Sequence, residues 1–129
     1  MSSVLNRIMT TLGALCTSED VPMEGVWYGA CRKDELDNWN YFVFNRRTTQ
    51  KASNRMDFET YYEVHVIHED FIPEGYLQKV ITALEEASDP GTKLKAASED
   101  IEYNYIFKGK TNMVVEIATI AFVHPEKRC

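Results

Sequence analysis

Residues 58–68 (FETYYEVHVIH) alternate without a break, and no other stretch limits the fold as strongly. Phe58, Thr60, Tyr62, Val64 and Val66 fall on one side; Glu59, Tyr61, Glu63, His65 and Ile67 fall on the other. A period of two belongs to a strand, because successive side chains of an extended chain point to opposite faces. A strand this long with one apolar face needs neighbours along its edges and a cover over that face.

The rest of the chain offers both. Residues 41–45 (YFVFN) are apolar on both faces and predict a buried strand. Residues 25–32 (GVWYGACR) are aromatic, small and too short for a stable helix, so they are read as a strand. Residues 101–108 and 113–123 alternate around the turn GKTN and form a hairpin, with Pro125 ending the second strand. For the cover, Val4, Leu5, Ile8, Met9, Leu12 and Leu15 recur at helical spacing behind Ser2 or Ser3 as a cap. Tyr76, Leu77, Val80, Ile81 and Leu84 form a second stripe, with Pro73 and Glu74 in its first turn and 88–91 (SDPG) stopping it.

The expected elements are helices near 3–16 and 74–87 and strands near 25–32, 40–46, 58–68, 101–108 and 113–123. Residues 92–100 are read as a polar connector with room for one helical turn. This is a single α+β domain over 1–129, a mostly antiparallel sheet with two α-helices packed on one face and a long hairpin loop at 46–57. The expected core is Leu5, Ile8, Leu12, Val64, Val66, Leu77, Val80, Ile81, Leu84 and Ile117. With 129 residues and 44% hydrophobic content, such a chain can build a core without disulfides or metals. No apolar run nears the roughly 20 residues of a membrane span, and no basic segment followed by an apolar stretch predicts a signal peptide. Cys16, Cys31 and Cys129 lie far apart, an odd and low count that fits a reducing compartment or plain buried thiols; the alternative is one disulfide plus a free thiol.

Charge is segregated. The chain has net charge −6, yet residues 46–56 carry Arg46, Arg47, Lys51 and Arg55 and no acid, whereas 57–103 carry twelve acids against three bases. The acidity argues against a DNA-coating protein. The basic segment has three readings: a solvated hairpin tip, a contact to an acidic neighbouring subunit, and a nucleic-acid contact, for which the aromatic residues that stack bases are missing. Arg46, Arg47, Lys51 and Arg55, with Tyr61 and Glu63 on the adjacent strand, are the candidate contact residues. Catalytic motifs are nearly absent: there is no phosphate-binding glycine loop, no nucleophile elbow, no zinc-protease motif and no EF-hand loop. His65 and His68 are three apart in a strand, so they face opposite ways, cannot share a metal, and read as edge or surface residues. Adjacent Glu85 and Glu86 read as a solvated helix end, and His124 as the end of a strand. Trp27/Tyr28, Tyr61/Tyr62 and Tyr103/Tyr105 exceed what one small core needs; they suit either cross-strand packing or a subunit interface.

The element order, the YFVFN strand with its basic loop, the FETYYEVHVIH strand and the helix after it together resemble the tail terminator (tail completion) proteins of long-tailed bacteriophages. The resemblance implies a virion structural protein rather than an enzyme, with no cofactor. It implies a hexameric ring of this chain on the end of the tail tube, where it stops tube growth and offers a head–tail joining surface. Implied partners are the tail tube protein and the head–tail connector, with DNA only as passing cargo and no membrane. The implied location is the virion tail, reached from the host cytoplasm during assembly. The alternatives are a small α+β ligand-binding or enzymatic domain and a nucleic-acid-binding regulator using 46–56.

Overall fold

The computed structural model describes residues 3–31, 38–51, 57–86 and 93–127. In chain order the elements are α1 (Val4–Cys16), β1 (Val26–Tyr28), β2 (Tyr41–Lys51), β3 (Asp57–Glu69), α2 (Tyr76–Glu85), β4 (Lys95–Ala96), β5 (Glu102–Phe107) and β6 (Val114–Lys127). The chain is α+β: among the described residues the strands form one six-stranded sheet in the order β1-β2-β3-β6-β4, with β5 also on β6. All pairings are antiparallel except β1 with β2.

β3 is the middle of the sheet. It pairs with β2 from Phe58 to Ile67 and with β6 along its whole length, from Asp57 opposite Lys127 to Glu69 opposite Val115. Its even-numbered residues Tyr62, Val64 and Val66 join Phe42 and Phe44 of β2 and Ala118, Ile120 and Phe122 of β6 in the main core. The residues buried by α1 (Val4, Ile8, Leu12) and by α2 (Tyr76, Val80, Leu84) belong to the same cluster. Phe42 stacks on Tyr76 at 6.3 Å between ring centroids. The odd-numbered face carries a second, smaller cluster of Val43, Ile67 and Val115 with Trp39, Tyr41 and Ile117 at its margin.

Several expectations change. β1 is three residues rather than eight, because Gly29 takes φ +84°, a left-handed turn that leaves the strand. Residues 46–51 are strand, not loop: β2 stays paired with β3, across one register shift after Arg46, to Lys51 opposite Phe58, since the long β3 supplies main-chain partners whatever the side chains. Of the rest of the expected loop, Asp57 opens β3, while 52–56, Arg55 included, lie outside the described residues, as does Cys129. β6 runs through Pro125. Odd residues of β6 aim their amides away from β3, as Ala121 does when its carbonyl accepts from Ala97. The N–H that Pro125 lacks would therefore fall on the edge side, past the end of β4. The connector after α2 holds the two-residue β4 rather than a helical turn. His124 is not a strand end but a buried residue whose Nδ1–H donates to the Lys93 carbonyl at 2.5 Å.

Helix ends follow local chemistry. Ser3 caps α1 by accepting from the Asn6 N–H at 3.0 Å. α2 begins at Tyr76, two residues later than expected; Pro73 to Gly75 form a turn before it, closed by Tyr76 N–H to the Pro73 carbonyl, with Gly75 at φ +82°. Glu85 is exposed, yet its carboxylate accepts from the Ala96 N–H at 2.9 Å and ties α2 to β4.

Of the expected core, Ile8, Leu12, Val64, Val66, Val80 and Leu84 are buried, whereas Leu5, Leu77 and Ile81 only flank the main cluster and Ile117 flanks the one on the other face. The helix stripes are narrower than the apolar spacing suggested. Leu84→Ala should cost about 2–5 kcal/mol in urea unfolding, and Ile81→Ala clearly less. Tyr76 gives a test of opposite sign. Its ring is core, but its hydroxyl is buried with no hydrogen-bond partner among the described residues, and burial pushes its pKa up to about 12. Tyr76→Phe removes a desolvated, unpaired group and should raise stability by about 1 kcal/mol.

Candidate assembly surfaces

The basic segment is positioned by a bulge. Register shifts between Arg46, opposite Tyr62, and Thr48, opposite Tyr61, so Arg47 has no cross-strand partner. The extra residue re-aims the side chain, as bulges do. The Arg47 guanidinium lies 5.0 Å from the centre of the Tyr61 ring and makes a bidentate pair with Glu99 at 2.7 and 2.6 Å. This geometry holds Glu99 below the usual carboxylate range and raises Arg47 above its own. Arg46 takes the other face, where its Nε donates to the Tyr28 hydroxyl at 3.3 Å and lowers that phenol's pKa. Lys51 is exposed at the end of β2.

Arg47 is thus engaged within the subunit. The acidic complement of Arg47 is in the same chain, 52 residues away, rather than only on a neighbour. A charge swap tests the pair: Arg47→Glu should loosen the segment around Glu99 in amide exchange, and adding Glu99→Arg should restore protection.

Tyr61 and Glu63 share the odd-numbered face with a polar chain that crosses three strands. Asn45 Nδ2 donates to Glu63 at 3.1 Å, and Asn45 Oδ1 accepts from His65 Nε2 at 2.8 Å. His65 Nδ1 then accepts from the Thr119 hydroxyl at 2.9 Å, a tautomer assigned from these partners. His65 is thus no edge residue: its side chain is 24% exposed at the middle of the sheet. His68 lies on the opposite face, with Nδ1–H donating to the Glu69 carbonyl.

Burial lowers the His65 pKa, and the Glu63 carboxylate 3.9 Å away only partly offsets it. The imidazole is neutral in the folded state, so the unfolded chain binds more protons in the window just below its ordinary value of 6.5. Stability should therefore fall as pH drops from 7 through that window toward the lowered folded pKa. His65→Gln keeps hydrogen-bonding atoms but not the titration, and should flatten the slope in a series of thermal melts.

Glu69 closes the other end of this face. It accepts from Lys108 Nζ at 2.7 Å and from the Trp39 N–H at 2.6 Å, while its own N–H donates to Asn40 Oδ1. Burial alone would raise its pKa; Lys108 and the Trp39 N–H outweigh that and lower it. The carboxylate joins the segment before β2 to the end of the β5–β6 hairpin.

The third surface is that hairpin. Exposed large apolar side chains concentrate there: Tyr103, Tyr105, Ile106 and Phe107 of β5 with Met113 and Val114, and Phe71 nearby. Tyr105 is 60% exposed and Phe107 62%. Tyr103 and Tyr105 form one wall of an open groove of about 530 Å³ whose other wall is the turn from Phe71 to Gly75 and the start of α2. Glu116 joins the two walls, accepting from the Ile72 N–H at 2.8 Å and from the Tyr105 hydroxyl at 2.7 Å.

The aromatic surplus visible in the sequence thus divides. Tyr62 is core, Trp27, Tyr28 and Tyr61 are half-buried, and Tyr103 and Tyr105 stand in the open. Of the hairpin, only Tyr103 and Tyr105 are read from the sequence as suiting a subunit interface; Ile106, Phe107, Met113 and Val114 are not singled out. Its signal was the strand EYNYIF, which carries aromatic or aliphatic residues on both faces and one charge. No protein-family model matches the chain, and no curated protein matches it either.

Proposed function

We propose that this chain is a structural assembly subunit, and specifically a tail terminator of a long-tailed bacteriophage. In this reading it closes as a ring of six on the end of the tail tube, stops tube growth and presents a surface to the head–tail connector. Its partners are then other copies of itself, the tail tube protein and the connector, with DNA passing through. The observation that carries the reading is the concentration of exposed Tyr103, Tyr105, Ile106, Phe107, Met113 and Val114 on one hairpin. Solitary soluble proteins seldom expose a contiguous apolar patch beyond a few hundred Å² unless it binds something. Contact aromatics of this kind are typical of subunit interfaces.

The ring contact is assigned to the hairpin more than to the basic segment, because Arg47 already meets Glu99 within the chain. Lys51 stays exposed for a supporting role in steering.

The test is a tube-completion assay. Tail tubes grown without the protein should overrun, and adding it should arrest them at a defined length under electron microscopy. Phe107→Asp should abolish arrest while circular dichroism stays that of the parent. Unarrested tubes with the parent protein would refute the terminator reading; arrest by Phe107→Asp would remove the hairpin from the contact.

A further inference from the structure

β5 is an edge strand of an unusual kind. It hydrogen-bonds to β6 on one side, and no strand lies on its other side among the described residues. Every one of its residues is exposed. Edge strands are normally guarded by lysine, proline, a bulge or a cover. Glu102–Phe107 has no lysine, arginine or proline, and its register with β6 is unbroken.

The direction of each amide follows from the ladder. Lys108 N–H bonds the Met113 carbonyl, so Lys108 points at β6, and so do the other even residues of β5. Val114, opposite Phe107, gives its carbonyl to Asp70 on the β3 side, which agrees. The N–H and C=O groups of Tyr103, Tyr105 and Phe107 therefore point outward. Their partners on β6 are Ala118, Glu116 and Val114, so the three side chains also share the face of β6 that carries Ala118 into the main core. One face of one edge thus carries both a row of rings and a row of free backbone groups.

We infer that β5 pairs antiparallel with β5 of a second copy of this chain, about a two-fold axis at Tyr105. The strand is complementary to itself. Outward amides meet only where odd residues face odd residues, which excludes every register that sets odd against even. With Tyr105 on the axis, Tyr105 faces Tyr105, Tyr103 faces Phe107 and Asn104 faces Ile106. The same register brings Glu102 level with Lys108, whose ammonium Glu69 already holds within the chain, so that pair adds little to the choice of register. Centring on Asn104 would instead set the Glu102 carboxylate against Ile106. Aromatic cross-strand pairs and exchanged main-chain bonds then supply specificity, and the sheet continues from one copy to the other.

The pairing does not rest on the terminator reading. Where both hold, they use the same hairpin, and the dimer must open before a ring closes.

Light scattering and cross-linking test this. The parent should show a dimer mass that dissociates on dilution. Tyr105→Lys places like charges across the axis and should weaken the dimer about tenfold or more. Tyr105→Pro deletes an N–H that β6 does not use and should do the same, with circular dichroism unchanged. In a background with Cys16, Cys31 and Cys129 replaced by serine, Tyr105→Cys should oxidise to a linked dimer, because paired Cα atoms about 5.5 Å apart suit a disulfide. Asn104→Cys should stay unlinked. A parent that stays monomeric at high concentration, a dimer untouched by Tyr105→Lys, or linkage through Asn104→Cys in place of Tyr105→Cys would each overturn the inference. Tube arrest is scored separately, so either proposal can fail alone.

Discussion

The architecture hangs on β3, which has neighbours on both edges and different surroundings on its two faces. Paired with β2 and β6 over nearly its full length, it has few main-chain groups left for water. That lets Val64 and Val66 be fully buried without stranding their amides. A one-residue slip would turn Val64 and Val66 out of the core and bring His65 and Glu63 in, so the register is held by burial itself. The bulge at Arg47 is the tolerated exception. It lies beyond the strictly apolar stretch, at a point where the odd-numbered face has become polar.

Polar links then fasten the peripheral pieces to this centre. Glu69 sits at the end of β3 and binds both the Trp39 backbone and Lys108. Glu116 of β6 holds the turn before α2 through the Ile72 N–H and orients Tyr105. Glu85 of α2 accepts from β4. Each is a carboxylate accepting at least one main-chain N–H, an interaction stronger than a neutral hydrogen bond and local enough to fix a loop. Glu69, Glu85, Glu99 and Glu116 thus have structural work inside the subunit.

The edge strands β1 and β5 are built differently. β1 is three residues long, half-buried, and cut off by the left-handed Gly29. β5 is longer, fully exposed and rich in rings. A short, twisted-away edge is a poor template for another strand, and an unguarded one is a good template. This asymmetry, more than net charge, ranks the surfaces of the molecule as places for contact.

The sequence by itself determined the α+β class, the two helices, the central alternating strand and the closing hairpin. Those depend on local period and capping, and the spacing of Val4, Ile8 and Leu12, or of Tyr62, Val64 and Val66, carries that information within a few residues. It also flagged more aromatics than a core could use. It did not reveal that residues 46–51 continue a strand, that β1 runs parallel to β2, or that Arg47 meets Glu99. Nor did it separate Leu84, fully buried, from Ile81 beside it on the same stripe. Each of these depends on which neighbour happens to lie across the sheet or under the helix. Main-chain pairing accepts almost any side chain, and an ion pair 52 residues apart leaves no periodic trace. Tyr103 and Tyr105 make the same point: alternation marks their strand, but only its position at the open edge of the sheet decides that their rings face outward.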